Sequence, residues 1–285
     1  MQPHTLAYTD KAHLLTHNYG STDDYKVRSS GWDEYRVNPT SVVEWVLGKI
    51  PLEGRSAILD AGCGLGRFAL AAAERSPAGS VVTALDLSAA MVDAVRTEAR
   101  GRQLAIEVSV AGIEELPHPA ETFDVVLCNY VLYHVESIPK AIGELARVLK
   151  PGGRLVSVVP AFRWLHELID WQDRALLRLG HDIDGPLFKP TGTDRFCEEN
   201  APRYLRERFR VMSRERYDGT MRFPSVEVLL HHYRHTMRFK NAVAAGVDAE
   251  VLAAAVGELM SETLAREGHL QVTSQNTCFI CVREE

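Results

Sequence analysis

The segment Ile58-Leu59-Asp60-Ala61-Gly62-Cys63-Gly64-Leu65-Gly66 sets an acid and then three glycines, at every second position, between an apolar run and a helix-forming stretch. Such a run reads as a buried strand feeding a helix. Glycine lets the backbone fold back tightly and lets a ligand approach without a Cβ in the way. A turn built for a diphosphate is usually written GxGxxG and offers a positive helix end to the phosphates. Here Arg67 stands where the last glycine of that pattern would be, and Asp60 brings a carboxylate into the turn. The turn therefore suits a cationic ligand better than a phosphate.

From Ala57 the pattern alternates. Apolar runs predict strands at 57–60, 81–86, 105–110, 125–128 and 155–159, and helical spacing predicts helices at 67–75 and 89–100. This alternation implies an α/β fold with a parallel sheet covered by helices on both faces. The glycine turn then lies at the carboxyl edge of the sheet, where such folds bind ligands. Upstream, Asn38-Pro39 predicts an N-cap and first turn for a helix reaching about Lys49. The first forty residues are polar and aromatic, with Tyr8, Tyr19, Tyr25, Trp32 and Tyr35, and are expected to order over another part of the molecule. Beyond Pro160 a helix is predicted over 162–179, then a long loop, a helix over 194–208 and a strand over 210–217. Helices over 225–238 and 248–267 and a last strand over 270–282 complete the chain.

A chain of 285 residues can bury one substantial core with an attached cap. The net charge of −6 gives no basic footprint for nucleic acid. No apolar stretch has the length to cross a bilayer, and the start lacks a charged segment followed by a hydrophobic run. A soluble, cytoplasmic protein acting on a small molecule is expected, with no nucleic-acid or membrane partner and with oligomerisation left open. The cysteines at 63, 128, 197, 278 and 281 form no disulfide framework. Cys278 and Cys281 fall three apart on a predicted strand and so face opposite sides, which is poor metal geometry. No metal is expected.

The glycine turn and three further segments, taken in order, resemble the class I S-adenosylmethionine-dependent methyltransferases, in the branch that acts on small molecules. The segments are Val81-Val-Thr-Ala-Leu-Asp86, Phe123-Asp-Val-Val-Leu-Cys-Asn129-Tyr-Val-Leu-Tyr-His134 and Leu145-Ala-Arg-Val-Leu-Lys-Pro-Gly-Gly153. The resemblance implies a Rossmann-like, mostly parallel seven-stranded sheet ending in an antiparallel C-terminal hairpin. It makes residues 38–285 the methyltransferase domain, residues 1–37 a lid, and the insertions 161–192 and 219–268 a substrate cap. It implies S-adenosyl-L-methionine as donor and S-adenosyl-L-homocysteine as product.

In that frame Asp60 would fix the turn and meet the donor's amino end, while Gly62, Cys63, Gly64 and Gly66 would form the cradle. Asp86, about twenty residues past the glycines, would clamp the ribose. Leu87 and Met91 would flank the adenine. Gly112 stands where the family usually carries an acid, so the adenine would rely on the Ile113 backbone or on Glu114. Asn129 and Tyr130 would line the methionine portion, and Arg36 would pair with its carboxylate. His134 is the leading candidate for a general base, with a loop-holding role as the alternative. Tyr19 is a second catalytic candidate, and Tyr133, Tyr25 and His181 are further runners-up. The implied reaction is in-line methyl transfer to an N or O acceptor, with carbon as a third choice, in tailoring of secondary metabolites. A nicotinamide-dependent oxidoreductase and a non-catalytic donor-binding protein are the alternatives.

Overall fold

Apolar residues that alternate along a strand are sent to opposite faces, and here both faces are buried. Ile58, Val125, Leu127, Val156 and Val158 belong to one buried cluster, while Leu59, Val126, Leu155 and Val159 belong to the other. The computed structural model describes residues 9–19, 22–50, 52, 54–183 and 192–284. Strands β1 (Ala57–Ala61), β2 (Val81–Asp86), β3 (Ile106–Val110), β4 (Phe123–Leu127) and β5 (Leu149–Pro160) pair in parallel. Beyond them come β6 (Phe209–Asp218), β7 (Met221–Phe223), β8 (Leu270–Val272) and β9 (Gln275–Arg283). β9 inserts antiparallel between β5 and β6, giving a seven-stranded sheet in the order β3-β2-β1-β4-β5-β9-β6. The strand order reverses between β1 and β4, so a crevice opens at their carboxyl ends.

A third buried cluster lies outside the main sheet. It unites helices His166–Arg178, Val226–Arg234 and Ala249–Glu267 with the small β7–β8 sheet, through Trp171, Leu176, Phe223, Tyr233, Val256, Leu259 and Leu270. The helix Thr22–Glu34, from the start of the chain, packs against Val226–Arg234.

Several elements differ from the periodicity, each for a local reason. The helix expected from Asn38 begins instead at Val42. Ser41 and Glu44 form a reciprocal capping box, and Asn38 is occupied with the Thr40 N–H and the Asp218 carbonyl. The helix expected over 194–208 breaks into a 3₁₀ turn, Thr193–Arg195, and a short helix, Ala201–Leu205, because Pro202 sets a new first turn. The helix expected over 225–238 ends at Arg234, and Thr236 caps a second one, Met237–Ala244. The single last strand divides at Thr273-Ser274. Thr273 turns its N–H and hydroxyl to the Glu167 carboxylate, at 2.9 and 2.5 Å, and its carbonyl to the Leu165 N–H. The polar start contains the helix Thr22–Glu34 despite its weak apolar pattern. Tyr8 and part of the long loop, residues 184–191, lie outside the described residues.

Gly66 stands at the N-terminus of helix Arg67–Arg75 with φ of 74°. A Cβ there would lie 2.8 Å from Val95 Cγ2 of helix Ala89–Gly101. Gly66→Ala is therefore expected to cost about 1–3 kcal/mol from backbone strain, with the clash added. The measurement is the urea midpoint at constant m-value. Combining it with Val95→Ala should recover the steric part only.

Candidate functional site

At the end of β1, Asp60 is almost fully buried, and one carboxylate oxygen accepts from the Ala69 N–H at 3.0 Å. Gly66 has no side chain to cap its helix, so Asp60 supplies the cap from the strand. Burial, more than the single hydrogen bond and with help from Asp86, pushes the Asp60 carboxyl up to about 7. At the end of β2, Asp86 accepts from the Gly64 and Ser88 N–H groups, each at 2.9 Å. Burial raises its carboxyl above the usual range even against those bonds. Two carboxylates thus share one glycine turn. A Cβ on Gly62 would come within 2.6 Å of Val131 Cγ2, and one on Gly64 within 3.3 Å of the Tyr25 hydroxyl.

Past β4 the chain lines the same crevice. Asn129 Oδ1 accepts from the Val158 N–H at 2.9 Å, which fixes the carboxamide and leaves its buried Nδ2 without a partner. Tyr130 is held at φ of 58° and lies nearly parallel to Trp32, with ring centroids 6.4 Å apart and 17° between planes. Next comes a 3₁₀ turn, Leu132–His134. Here the Tyr19 hydroxyl and His134 Nε2 are 2.8 Å apart. The Tyr19 carbonyl in turn accepts from Ser88 Oγ at 2.8 Å, tying the start of the chain to the β2 loop. Burial pushes the Tyr19 phenol up to about 12, so it is neutral at physiological pH.

These groups line one cavity of about 290 Å³. Asp60, Gly62, Cys63, Gly64, Asp86, Leu87, Gly112, Ile113, Asn129, Tyr130, Tyr19 and His134 are all in its wall, which continues to Trp164, Leu168, Phe223, Tyr233 and Asn276. Three sequence candidates are not. Gly66 is a packing position, as described above. Met91 is fully buried and does not reach the cavity. Arg36 donates to the carbonyls of Asp33, Asn38 and Pro39 at 2.7, 3.1 and 3.3 Å, closing the turn after its own helix.

Of the cations in the wall, Lys11, Arg67 and Arg238 pair with carboxylates, whereas Arg28 lies over the rings of Tyr19 and Tyr25 at 5.7 and 5.2 Å and makes no ion pair among the described residues. The spacing Tyr25, Arg28, Trp32 on one helix face was the signal for it. Of the runners-up, Tyr25 and Tyr133 line the cavity and His181 does not. Glu114 is in the wall, but its carboxylate accepts from the Ser137 and Glu136 N–H groups at 2.8 and 3.4 Å. Among the described residues no group of three or more potential metal ligands occurs, and no helix is long and apolar enough to cross a membrane. All five cysteines are unpaired.

Residues 59–157 match a family described as a methyltransferase domain. Residues 59–157 thus carry a methyltransferase domain, similar to that of the class I S-adenosylmethionine-dependent methyltransferases. The malonyl-[acyl-carrier protein] O-methyltransferase of Salmonella typhimurium is 44% identical over 104 residues, which are 36% of this chain and 39% of that protein. The ubiquinone biosynthesis O-methyltransferase of Coxiella burnetii is 34% identical over 119 residues, 42% and 49% of the two chains. The chain thus spans less than half the length of these two curated relatives. In fold, the chain is similar to the [4+2]-cyclase SpnF, with a TM-score of 0.61 at 21% identity, covering 99% of this chain and 97% of that one. It is also similar to a geranyl diphosphate methyltransferase solved with SAM, with a TM-score of 0.50 at 18% identity, covering 85% and 84%.

The raised Asp60 carboxyl has a definite sign. Its proton is bound more tightly folded than unfolded, so its contribution to stability is full below about pH 4 and is lost as pH rises through about 7. The melting temperature of the ligand-free protein should therefore fall across that window. Asp60→Asn, whose carbonyl can still accept from Ala69, should flatten the profile.

Proposed function

We propose that the protein transfers a methyl group from S-adenosyl-L-methionine to an oxygen or nitrogen of a small-molecule metabolite, with carbon the less supported acceptor, as a tailoring step. The observation that carries this reading is that the carboxylate-bearing glycine cradle and the Tyr19–His134 pair line one and the same cavity.

The residues present fit the donor. The bare positions at Gly62 and Gly64 leave room that a Cβ would fill, and the buried Asn129 Nδ2 is an unspent hydrogen-bond donor. Asp86 keeps acceptor capacity for two ribose hydroxyls beyond its two backbone bonds. Asp60 would meet the donor's amino group, Arg28 its carboxylate, and Leu87, Gly112 and Ile113 its adenine. When bound, the donor supplies a methyl group already activated on a sulfonium, so the chain's tasks are alignment, exclusion of water and acceptance of a proton. A diphosphate in the same place would face two buried carboxylates, which speaks against a nicotinamide cofactor.

Residues 9–35 serve in this reading as a lid, and the segments 161–183 and 219–268 as a cap over the acceptor. Tyr19, held neutral by burial, cannot act as a phenolate base. It acts as a relay: its oxygen takes the acceptor's proton while its own proton passes to His134 Nε2. Both named O-methyltransferases support an oxygen acceptor. The net charge of −6 favours a metabolite over nucleic acid.

The test is isotopically labelled S-adenosylmethionine incubated with the protein and metabolite extracts, where a labelled product is expected. Tight calorimetric binding of NADH with none of S-adenosylmethionine would refute the proposal. His134→Ala and Tyr19→Phe should each lower turnover by roughly 10²–10⁴-fold, as loss of a proton acceptor does. Donor affinity measured by calorimetry should be unchanged.

A further inference from the structure

Away from the glycine turn, the cavity wall carries a carbonyl oxygen with no partner. Asn276 is 3% exposed and sits on β9. Its Nδ2 donates to the Ser274 carbonyl at 2.9 Å and to Ser274 Oγ at 3.2 Å, which fixes the carboxamide orientation. Its Oδ1 is buried and unpaired. Opposite it on the two flanking strands stand Pro160, which has no N–H to offer, and Tyr217. A buried acceptor left unmade costs about 1–3 kcal/mol, so one retained in a ligand cavity points to a ligand that satisfies it.

The surroundings specify that ligand further. Trp164 donates its indole N–H to the same Ser274 Oγ at 2.8 Å and lies 5.8 Å from Trp32, which in turn lies nearly parallel to Tyr130. The N-terminal helix, the loop after β4 and the segment after β5 each contribute one aromatic ring. Flat rings stack favourably on such walls. A carbonyl oxygen attracts an N–H or O–H and repels a carboxylate or phosphate oxygen.

We infer that the acceptor is a planar, uncharged ring system bearing a hydroxyl or amine, that its flat body rests on Trp32 and Trp164, and that Asn276 Oδ1 accepts a hydrogen bond from its polar hydrogen. This deepens the methyl-transfer proposal and rests on it. Asn276 is a specificity-determining residue and takes no part in the transfer.

The experiment measures binding of three probes, 2-naphthol, naphthalene and 2-naphthoate, to the full chain saturated with S-adenosylhomocysteine, by quenching of tryptophan emission. 2-Naphthol should bind about tenfold more tightly than naphthalene, the worth of one good hydrogen bond, and 2-naphthoate no more tightly than naphthalene. Equal binding of 2-naphthol and naphthalene, or preference for 2-naphthoate, overturns the inference. In Asn276→Leu the preference for 2-naphthol should vanish while affinity for S-adenosylhomocysteine stays unchanged, and a preference that persists also overturns it. Trp164→Leu should weaken all three probes alike. Should Asn276→Leu not fold, the three-probe comparison on the natural chain still decides. Separate calorimetry with S-adenosylhomocysteine alone keeps failure of the donor site distinguishable from failure of this inference.

Discussion

The hydrogen bond from the Ala69 N–H to the buried Asp60 carboxylate is the contact on which the rest of the site depends. It joins the end of β1 to the first turn of the next helix and lets a glycine without a side chain occupy the N-cap. The tight turn then closes back on β2, where the Gly62 and Cys63 N–H groups both meet the Leu85 carbonyl at 2.8 and 2.9 Å. Asp86 repeats the device from the next strand by accepting from Gly64. Two carboxyl groups are thereby held in a poorly solvated place with backbone N–H groups as their hydrogen-bond partners. Such a place gains most from a ligand that carries positive charge.

A second level of organisation concerns how the cavity is roofed. The start of the chain touches the β2 loop through Tyr19 and Ser88, and the Leu132–His134 turn through Tyr19 and His134. The same segment reaches the far helices through Asp24, which pairs with His235 at 2.7 Å and with Lys240. Tyr19, Asp24 and Trp32 thereby tie the start of the chain to both the sheet side and the far helices around a single cavity. Aromatic contacts reinforce the bridge, because Trp32 touches a ring on each side.

Much of this was legible in the residues. The apolar runs gave the parallel strands and their order of appearance, since a strand buried on both faces has a distinctive continuous pattern. Asp60, Asp86 and His134 lie within the ordered motifs, whereas Tyr19 stands in the aromatic start of the chain and its contact with His134 has no motif to announce it. Arg36 shows the limit: its guanidinium is consumed by three local carbonyls, whereas Arg28 reaches the cavity through helical spacing in a segment with little apolar pattern. Met91 was misplaced because the helical face it occupies turns inward. The break at Thr273-Ser274 was hidden in an apparently continuous strand, because its cause is a distant partner, Glu167.

That break has a consequence for assembly. β8 pairs with β7 in the small sheet, and two residues later the chain becomes β9, seated between β5 and β6 in the main one. The roof over the cavity and the interior of the large sheet are thus closed by one continuous stretch near the end of the chain. During synthesis neither can be completed before that stretch has left the ribosome, so the closing of the cavity waits on the same residues as the closing of the large sheet.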